Sequence, residues 1–371
     1  MALGNRQPGA LLAILPLLAA PVFAGAASAP PLPLFADDSL LEVTIDAPFS
    51  TLMDVRPDKA ELKGSFSYAE ADGTDKRVSV KLRTRGNYRR EKEHCDFAPI
   101  RLNLKKGEVR GSLFDGQNKL KLVTHCRSFE QDYEHIVFRE YLAYALLREL
   151  TDLSYGVRLL RITYFDTEKD RDMTRYGFVI EDDKDVARRS ALQLVDEKSL
   201  AQNEHDPRRQ NLVHVFEYMI GNTEYSLVNP EPDKNCCHNM DILSVTGSPP
   251  YLALPFDFDF SGLVNAPYAE PNPKYRLRNV RTRLYKGLCS NNELLPDTLE
   301  LFREKRTRLF EAIEKIRGHS VAATRSARSA QNYIEAFYRI IDDPDEVSER
   351  LVGKCISHTE EPKQHSQGDR P

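Results

Sequence analysis

Two carboxylates one residue apart give this chain its first chemical signal. Asp257 and Asp259 lie in Pro255-Phe256-Asp257-Phe258-Asp259-Phe260-Ser261-Gly262. As a strand, this run sends Phe256, Phe258 and Phe260 to one face and Asp257, Asp259 and Ser261 to the other. Two carboxylates that close repel, and a bound cation is the common way to hold them together. Gly262 lets the backbone turn sharply afterwards. Upstream, Gly221-Asn222-Thr223-Glu224-Tyr225-Ser226 follows a helical stretch, and His238-Asn239 comes later. A carboxylate such as Glu224 can accept or orient an attacking hydroxyl. An asparagine oxygen, as at Asn239, and an Asp carboxylate can hold magnesium, which bridges phosphate oxygens. Turn and capping duty is the competing use of Asn222 and Asn239.

A basic loop supplies the complementary charge. Arg83-Thr84-Arg85-Gly86-Asn87-Tyr88-Arg89-Arg90 closes a strand-like run. Guanidinium forks and the backbone N–H groups around Gly86 can face phosphates, with Arg85, Gly86 and Asn87 foremost. A solvated basic hairpin is the alternative, because one glycine does not make a phosphate loop. Lys119 and Lys121 share one face of the run carrying Leu120 and Leu122. Glu140 falls inside the apolar stripe of the following helix, where a carboxylate needs a cation or water; one of these lysines can supply the cation. Lys274, Arg276, Arg278, Arg281, Arg283 and Lys286 form a further basic segment. It suits an acidic partner or a solvated face.

Short alternating runs and then helices must position these groups. Leu41, Val43 and Ile45 alternate with polar residues, as do Leu62, Phe66 and Tyr68; Val78, Val80 and Leu82; Ile100, Leu102 and Leu104; and Leu120 and Leu122. With Asp72-Gly73 as a turn signal, this pattern predicts an antiparallel sheet. The spacing predicts a helix over 132–150, with Ile136, Ala143 and Leu147 on one stripe, then strands over 157–165 and 176–181. Further helices are predicted over 208–220, 296–316 and 330–341, and short strands around 240–245 and 251–260. The arrangement is α+β.

The chain has 371 residues, a formal net charge of -4, and 29% charged residues. That balance argues against a dedicated nucleic-acid binder, and the negative mean hydropathy argues against a polytopic membrane protein. Over residues 1–24, Arg6 precedes a short apolar run and small residues, the pattern of a cleaved signal peptide. The run is too short to span a bilayer, so export to a periplasmic or extracellular location is expected, without stable membrane insertion. Residues 25–38 read as a flexible leader and 356–371 as a disordered tail. Export predicts that the six cysteines pair. The expected bridges are Cys95 with Cys126 and Cys237 with Cys289, while adjacent Cys236 and Cys237 are not expected to bond to each other.

In order, Arg85-Gly86-Asn87, Lys119-Leu120-Lys121-Leu122, Gly177-Phe178-Val179-Ile180-Glu181, Gly221-Asn222-Thr223-Glu224 and the run from Phe256 to Gly262 resemble the CotH-type (spore-coat protein H) family of secreted, atypical protein-kinase-like proteins. The resemblance implies a protein-kinase-like two-lobed fold. An antiparallel-sheet N-lobe with one helix would occupy 39–181, and a mainly helical C-lobe 182–355. It implies ATP and magnesium or manganese as cofactors and a protein substrate of unknown identity. Carried over by residue, Glu224 takes the catalytic-acid position, where the family usually has Asp. Asp257 takes the metal position, Asp259 would support the metal or bind a second one, and Asn239 is a candidate metal ligand. Arg85, Gly86 and Asn87 would face the phosphates, Lys121 and Glu140 would position the nucleotide, and Glu181 would lie near the adenine. Glutamate is one methylene longer than aspartate, and a misplacement of about 1 Å can cost on the order of a hundredfold in rate. Two other readings stand beside a phosphotransferase: a secreted pseudokinase that binds nucleotide or a partner without turnover, and a carboxylate-based hydrolase using Glu224 with Asp257 or Asp259.

Overall fold

The computed structural model describes Met1 and residues 29–130, 133–229 and 235–357. The signal-like stretch after Met1 and the tail from 358 lie outside the described residues. The strands β1 (Leu41–Ala47), β2 (Leu62–Ala69), β3 (Asp75–Thr84), β4 (Ile100–Leu104), β5 (Lys119–Val123), β6 (Val157–Asp166) and β7 (Arg171–Ile180) form a closed barrel in the order β1-β2-β3-β4-β5-β7-β6. Neighbours run antiparallel except at the seam, where β1 and β6 are parallel from Leu41↔Leu160 to Ala47↔Asp166.

This closure overturns the expected protein-kinase-like two-lobed fold. The alternating residues Leu41, Val43 and Ile45 on β1 and Leu160, Ile162 and Tyr164 on β6 all enter one buried core. Joining the two strands covers both apolar faces and removes the last free edges, which an open sheet would keep. The molecule is α+β only in the loose sense of a closed barrel together with a mainly helical part that has its own core. The leader is also more ordered than expected, because Leu34 and Phe35, in a short turn over Pro33–Phe35, are fully buried in the same core.

Helix α1 (Phe49–Val55) lies between β1 and β2. Helix α2 (Glu134–Leu150) is buried on most of its surface and packs on β6 and β7. Beyond the barrel come α3 (Asp183–Arg189), β8 (Gln193–Val195), α4 (Pro207–Ile220), β9 (Met240–Ser244), β10 (Leu252–Pro255), α5 (Leu295–Glu304), α6 (Arg306–Glu314), α7 (Val321–Ile341) and α8 (Pro344–Arg350). The strands β10, β9 and β8 form a small antiparallel sheet. Asp206 caps α4 by accepting the Arg209 N–H, and Gly221, at φ 67°, ends it. The helix expected over 296–316 divides at Lys305. The strand expected over 251–260 stops at Pro255, since Asp257 has φ 62°. Phe258 and Asp259 are both buried, so the alternating two-faced strand does not form.

Cys95 and Cys126 are bridged as expected. Cys289 bonds to Cys355 rather than to Cys237. Its chain pairs with the C-terminal segment, where the Cys289 N–H donates to Ile356 O and the Ile356 N–H to Gly287 O, and this places it beside Cys355. Cys236 and Cys237 bond to each other across a cis peptide, contrary to expectation. Among the described residues no helix is long and apolar enough to cross a membrane.

Candidate active site

Charge is drawn inside where α2 meets the loop after β3. Gly86, at φ 82°, turns the chain into a helical turn over Tyr88–Arg90, and this carries Arg89 inward. Glu140 of α2 is buried, and its partner is Arg89 rather than Lys121: Arg89 Nη2 donates to the two carboxylate oxygens at 3.2 and 3.1 Å. Arg89 Nε also lies 3.4 Å from Asp259 Oδ2, and Tyr268 Oη donates to the same oxygen at 2.9 Å. Asp259 is therefore occupied by groups of the chain itself. Burial pushes the Glu140 and Asp259 carboxyls up, against the pull of Arg89. Burial alone would lower Arg89, but Glu140, Asp259 and Asp257 outweigh it and hold the guanidinium above its ordinary range.

Asp257 stands apart from this locked group. It is exposed, and its N–H donates to Tyr144 Oη of α2 at 2.9 Å. It lines a narrow cavity of about 60 Å³ together with Arg85, Arg89, Lys121, Glu140 and Phe256. Arg85 and Lys121 also line an adjoining cleft of about 330 Å³, whose other walls include Arg83, Gly86, Asn87, Arg90 and Arg101. Burial lowers the Lys121 ammonium and neighbouring Arg85 lowers it further, against Asp241 and Asp183. Burial likewise lowers Arg85, opposed by Asp257. Lys121 Nζ sits 5.6 Å from the Tyr155 ring centre and 5.9 Å from that of Phe256. Tyr155 Oη donates to Asp241 Oδ2.

Glu224 occupies the loop after α4. Its N–H donates to Asn222 Oδ1 at 3.0 Å, and its carbonyl accepts from Asn239 Nδ2 at 2.7 Å. The Asn239 carbonyl in turn accepts the Phe256 N–H at 3.1 Å. The backbones carrying Glu224, Asn239 and Asp257 are thus linked in series. The Glu224 carboxylate itself turns to His238, 3.4 Å away, and that contact holds it below the usual glutamate range. Glu181 is elsewhere employed: fully buried, it accepts the Gly156 N–H at 2.8 Å and Arg189 Nε at 3.0 Å.

The cleft therefore joins Arg85, Gly86, Asn87 and Lys121, and the narrow cavity adds Glu140 and Asp257. Asp259 lies behind, bound to Arg89. Arg89, as an internal cation, and Tyr144, whose hydroxyl accepts the Asp257 N–H, are site residues that none of the motifs marks. Tyr144 stands four positions after Glu140, a helical spacing that places both on one face; Tyr268 and Asp241 carry no such signal. Among the described residues, no group of three or more His, Cys, Asp and Glu side chains could hold a metal ion. Of the residues expected to hold a cation, Asp257 and Asn239 are linked through the backbone, by the Phe256 N–H donating to the Asn239 carbonyl. No protein-family model matches the sequence, and comparison with curated proteins finds no match.

Proposed function

We propose that the chain is an exported, metal-dependent phosphotransferase that moves a phosphoryl group from ATP to a protein hydroxyl. The observation that carries this reading is the meeting of Arg85 and Lys121 with Asp257 around one narrow cavity, next to the cleft that Arg85 and Lys121 also line. The disulfides agree with an oxidising compartment. The barrel lends nothing to the assignment, which rests on the site alone.

Arg83, Arg85 and Arg101 offer planar forks to phosphate oxygens, and Lys121 adds a partly desolvated point charge. Asp257 and Asn239 would hold magnesium or manganese, which would supply positive charge against the phosphates. Glu224, kept ionised, is the carboxylate assigned to take the proton from the acceptor hydroxyl. That oxygen bonds to the terminal phosphorus as the bond from phosphorus to the ADP oxygen breaks. The hold of His238 on Glu224 favours the second reading, a nucleotide-binding protein without turnover.

Titrating the purified protein with ATP, with and without magnesium or manganese, tests both. Saturable, metal-dependent binding is expected, weakened at least tenfold (about 1.4 kcal/mol) in Asp257→Asn and in Lys121→Met. Transfer of labelled phosphate to a mixed protein acceptor marks the enzyme, and binding without transfer marks the second reading. Absence of nucleotide binding by the unmodified chain overturns both.

A further inference from the structure

A second enclosed space lies where the end of β5, the start of α2 and the start of α7 come together. It measures about 300 Å³, and Arg127, Arg175 and Arg325 converge on it together with His125. Three guanidinium groups facing one cavity repel one another, and an anionic ligand relieves that repulsion.

The hydrogen bonds of these arginines orient them without neutralising them. Arg127 Nη2 donates to Glu93 O at 2.5 Å. Arg175 donates from Nη1 to Thr174 O at 2.9 Å and from Nη2 to Ser128 O at 2.5 Å. All three acceptors are main-chain carbonyls, which fix the guanidinium planes and leave the formal charge in place. Arg127 Nε has no hydrogen-bond partner among the described residues. Glu130 and Glu134 also line the cavity. Burial pushes the Glu134 carboxyl up against the pull of Arg175, and three guanidinium groups still outnumber the two carboxylates at the wall.

The first turn of α7 contributes from the opposite side. Ser320 Oγ accepts the Ala323 N–H at 3.0 Å. That leaves the N–H groups of Val321 and Ala322, both at the cavity wall, at the positive end of a 21-residue helix.

His125 is the independent sign of a ligand. It lines the cavity, is 1% exposed, and its Nδ1 has no hydrogen-bond partner among the described residues. Burial, with Arg175 nearby, depresses its pKa to about 3, so the ring is neutral at ordinary pH. Its Nε2 lies 3.5 Å from Ser128 Oγ. Ser128 Oγ gives its one proton to Asp96 Oδ1 at 2.7 Å, so Nε2 carries the ring proton and Nδ1 is a buried acceptor without a donor, a lack that the hydroxyl of a monoprotonated phosphate can meet.

We propose that this cavity is a second ligand site, separate from the nucleotide cleft, which binds a tetrahedral oxyanion of the phosphate or sulfate type through Arg127, Arg175, Arg325 and the start of α7. The forked geometry of guanidinium selects such an oxyanion over a spherical halide. The ligand is either the free ion or the same group carried on a hydroxyl side chain.

Thermal unfolding and calorimetric titration of the full chain test the site. The probes are inorganic phosphate, sulfate and O-phosphoserine, with sodium chloride balancing ionic strength. Saturable stabilisation beyond that given by chloride is expected. It should weaken at least tenfold in Arg325→Gln, an exposed position on α7 whose change spares the core, and persist in Lys121→Met, which alters the nucleotide cleft. Tighter binding of phosphate than of O-phosphoserine identifies the free ion, and the reverse order identifies a phosphorylated side chain. Stabilisation no greater than with chloride, or unchanged in both Arg325→Gln and Arg175→Gln, overturns the site.

Discussion

Glu217 lies fully buried on α4, and neither of its carboxylate oxygens has a hydrogen-bond partner among the described residues. Asn222 faces it without reaching hydrogen-bond geometry, and Lys286 pulls weakly in the same sense. Burial prevails and lifts its pKa to about 8 from the ordinary 4.5. The folded protein therefore keeps a proton that the unfolded chain releases as pH rises above 4.5. Stability falls through that window and levels off once the pH passes about 8. Glu217→Gln removes the proton linkage while keeping the shape. Urea unfolding should show the variant more stable than the parent by on the order of 2–4 kcal/mol near the upper end of the window and equal to it near the lower end. A difference independent of pH would rule the linkage out. The Arg89 pair with Glu140 teaches a related lesson about reading sequence. Glu140 signals its need for a cation by sitting in an apolar stripe. Which cation answers depends on how the turn after Gly86 folds, and the spacing of Lys119 and Lys121 carries no information about that turn.

Among the elements, the alternation of β1 to β5 is legible because a half-buried strand needs one apolar face whatever its neighbour is. Barrel closure is not legible for the same reason: Leu41, Val43 and Ile45 look alike whether β1 is an open edge or pairs with β6. The misread strand over 251–260 has a local cause in the left-handed backbone of Asp257, a conformation that aspartate tolerates better than most residues. Strand packing also sets a steric test. A Cβ on Gly64 would lie 2.4 Å from Asp46 O of the neighbouring strand and 2.9 Å from Leu82 Cδ1. The first of these is backbone and cannot swing aside. Gly64→Ala should therefore destabilise the barrel by about 3 kcal/mol, read as a lowered thermal midpoint. Gly107→Ala, with nothing within 4 Å of its Cβ, should leave the midpoint close to that of the parent. Equal midpoints for the two variants would contradict the close contact between β1 and β2.

For the molecule as a whole, the Cys289–Cys355 bridge closes a loop of 66 residues that contains α5 to α8. By chain entropy such a loop stabilises the fold by about 4 kcal/mol. The double variant Cys289→Ser with Cys355→Ser should lose stability of that order in denaturant titration, and an unchanged midpoint would show that packing alone holds these helices. The net charge of -4 gives no hint of the interior, where cations line two separate cavities. Composition averages over such contrasts; only the fold separates them. The parallel seam has a consequence in time as well as in space. Leu41 meets Leu160, 119 positions later, so five strands and α2 emerge from synthesis before the second partner of β1 exists. A chain halted short of β6 exposes a row of unspent N–H and C=O groups along β1, ready to recruit a strand from a neighbouring chain. Arrival of the β6–β7 hairpin is the moment at which an adhesive sheet becomes a sealed ring.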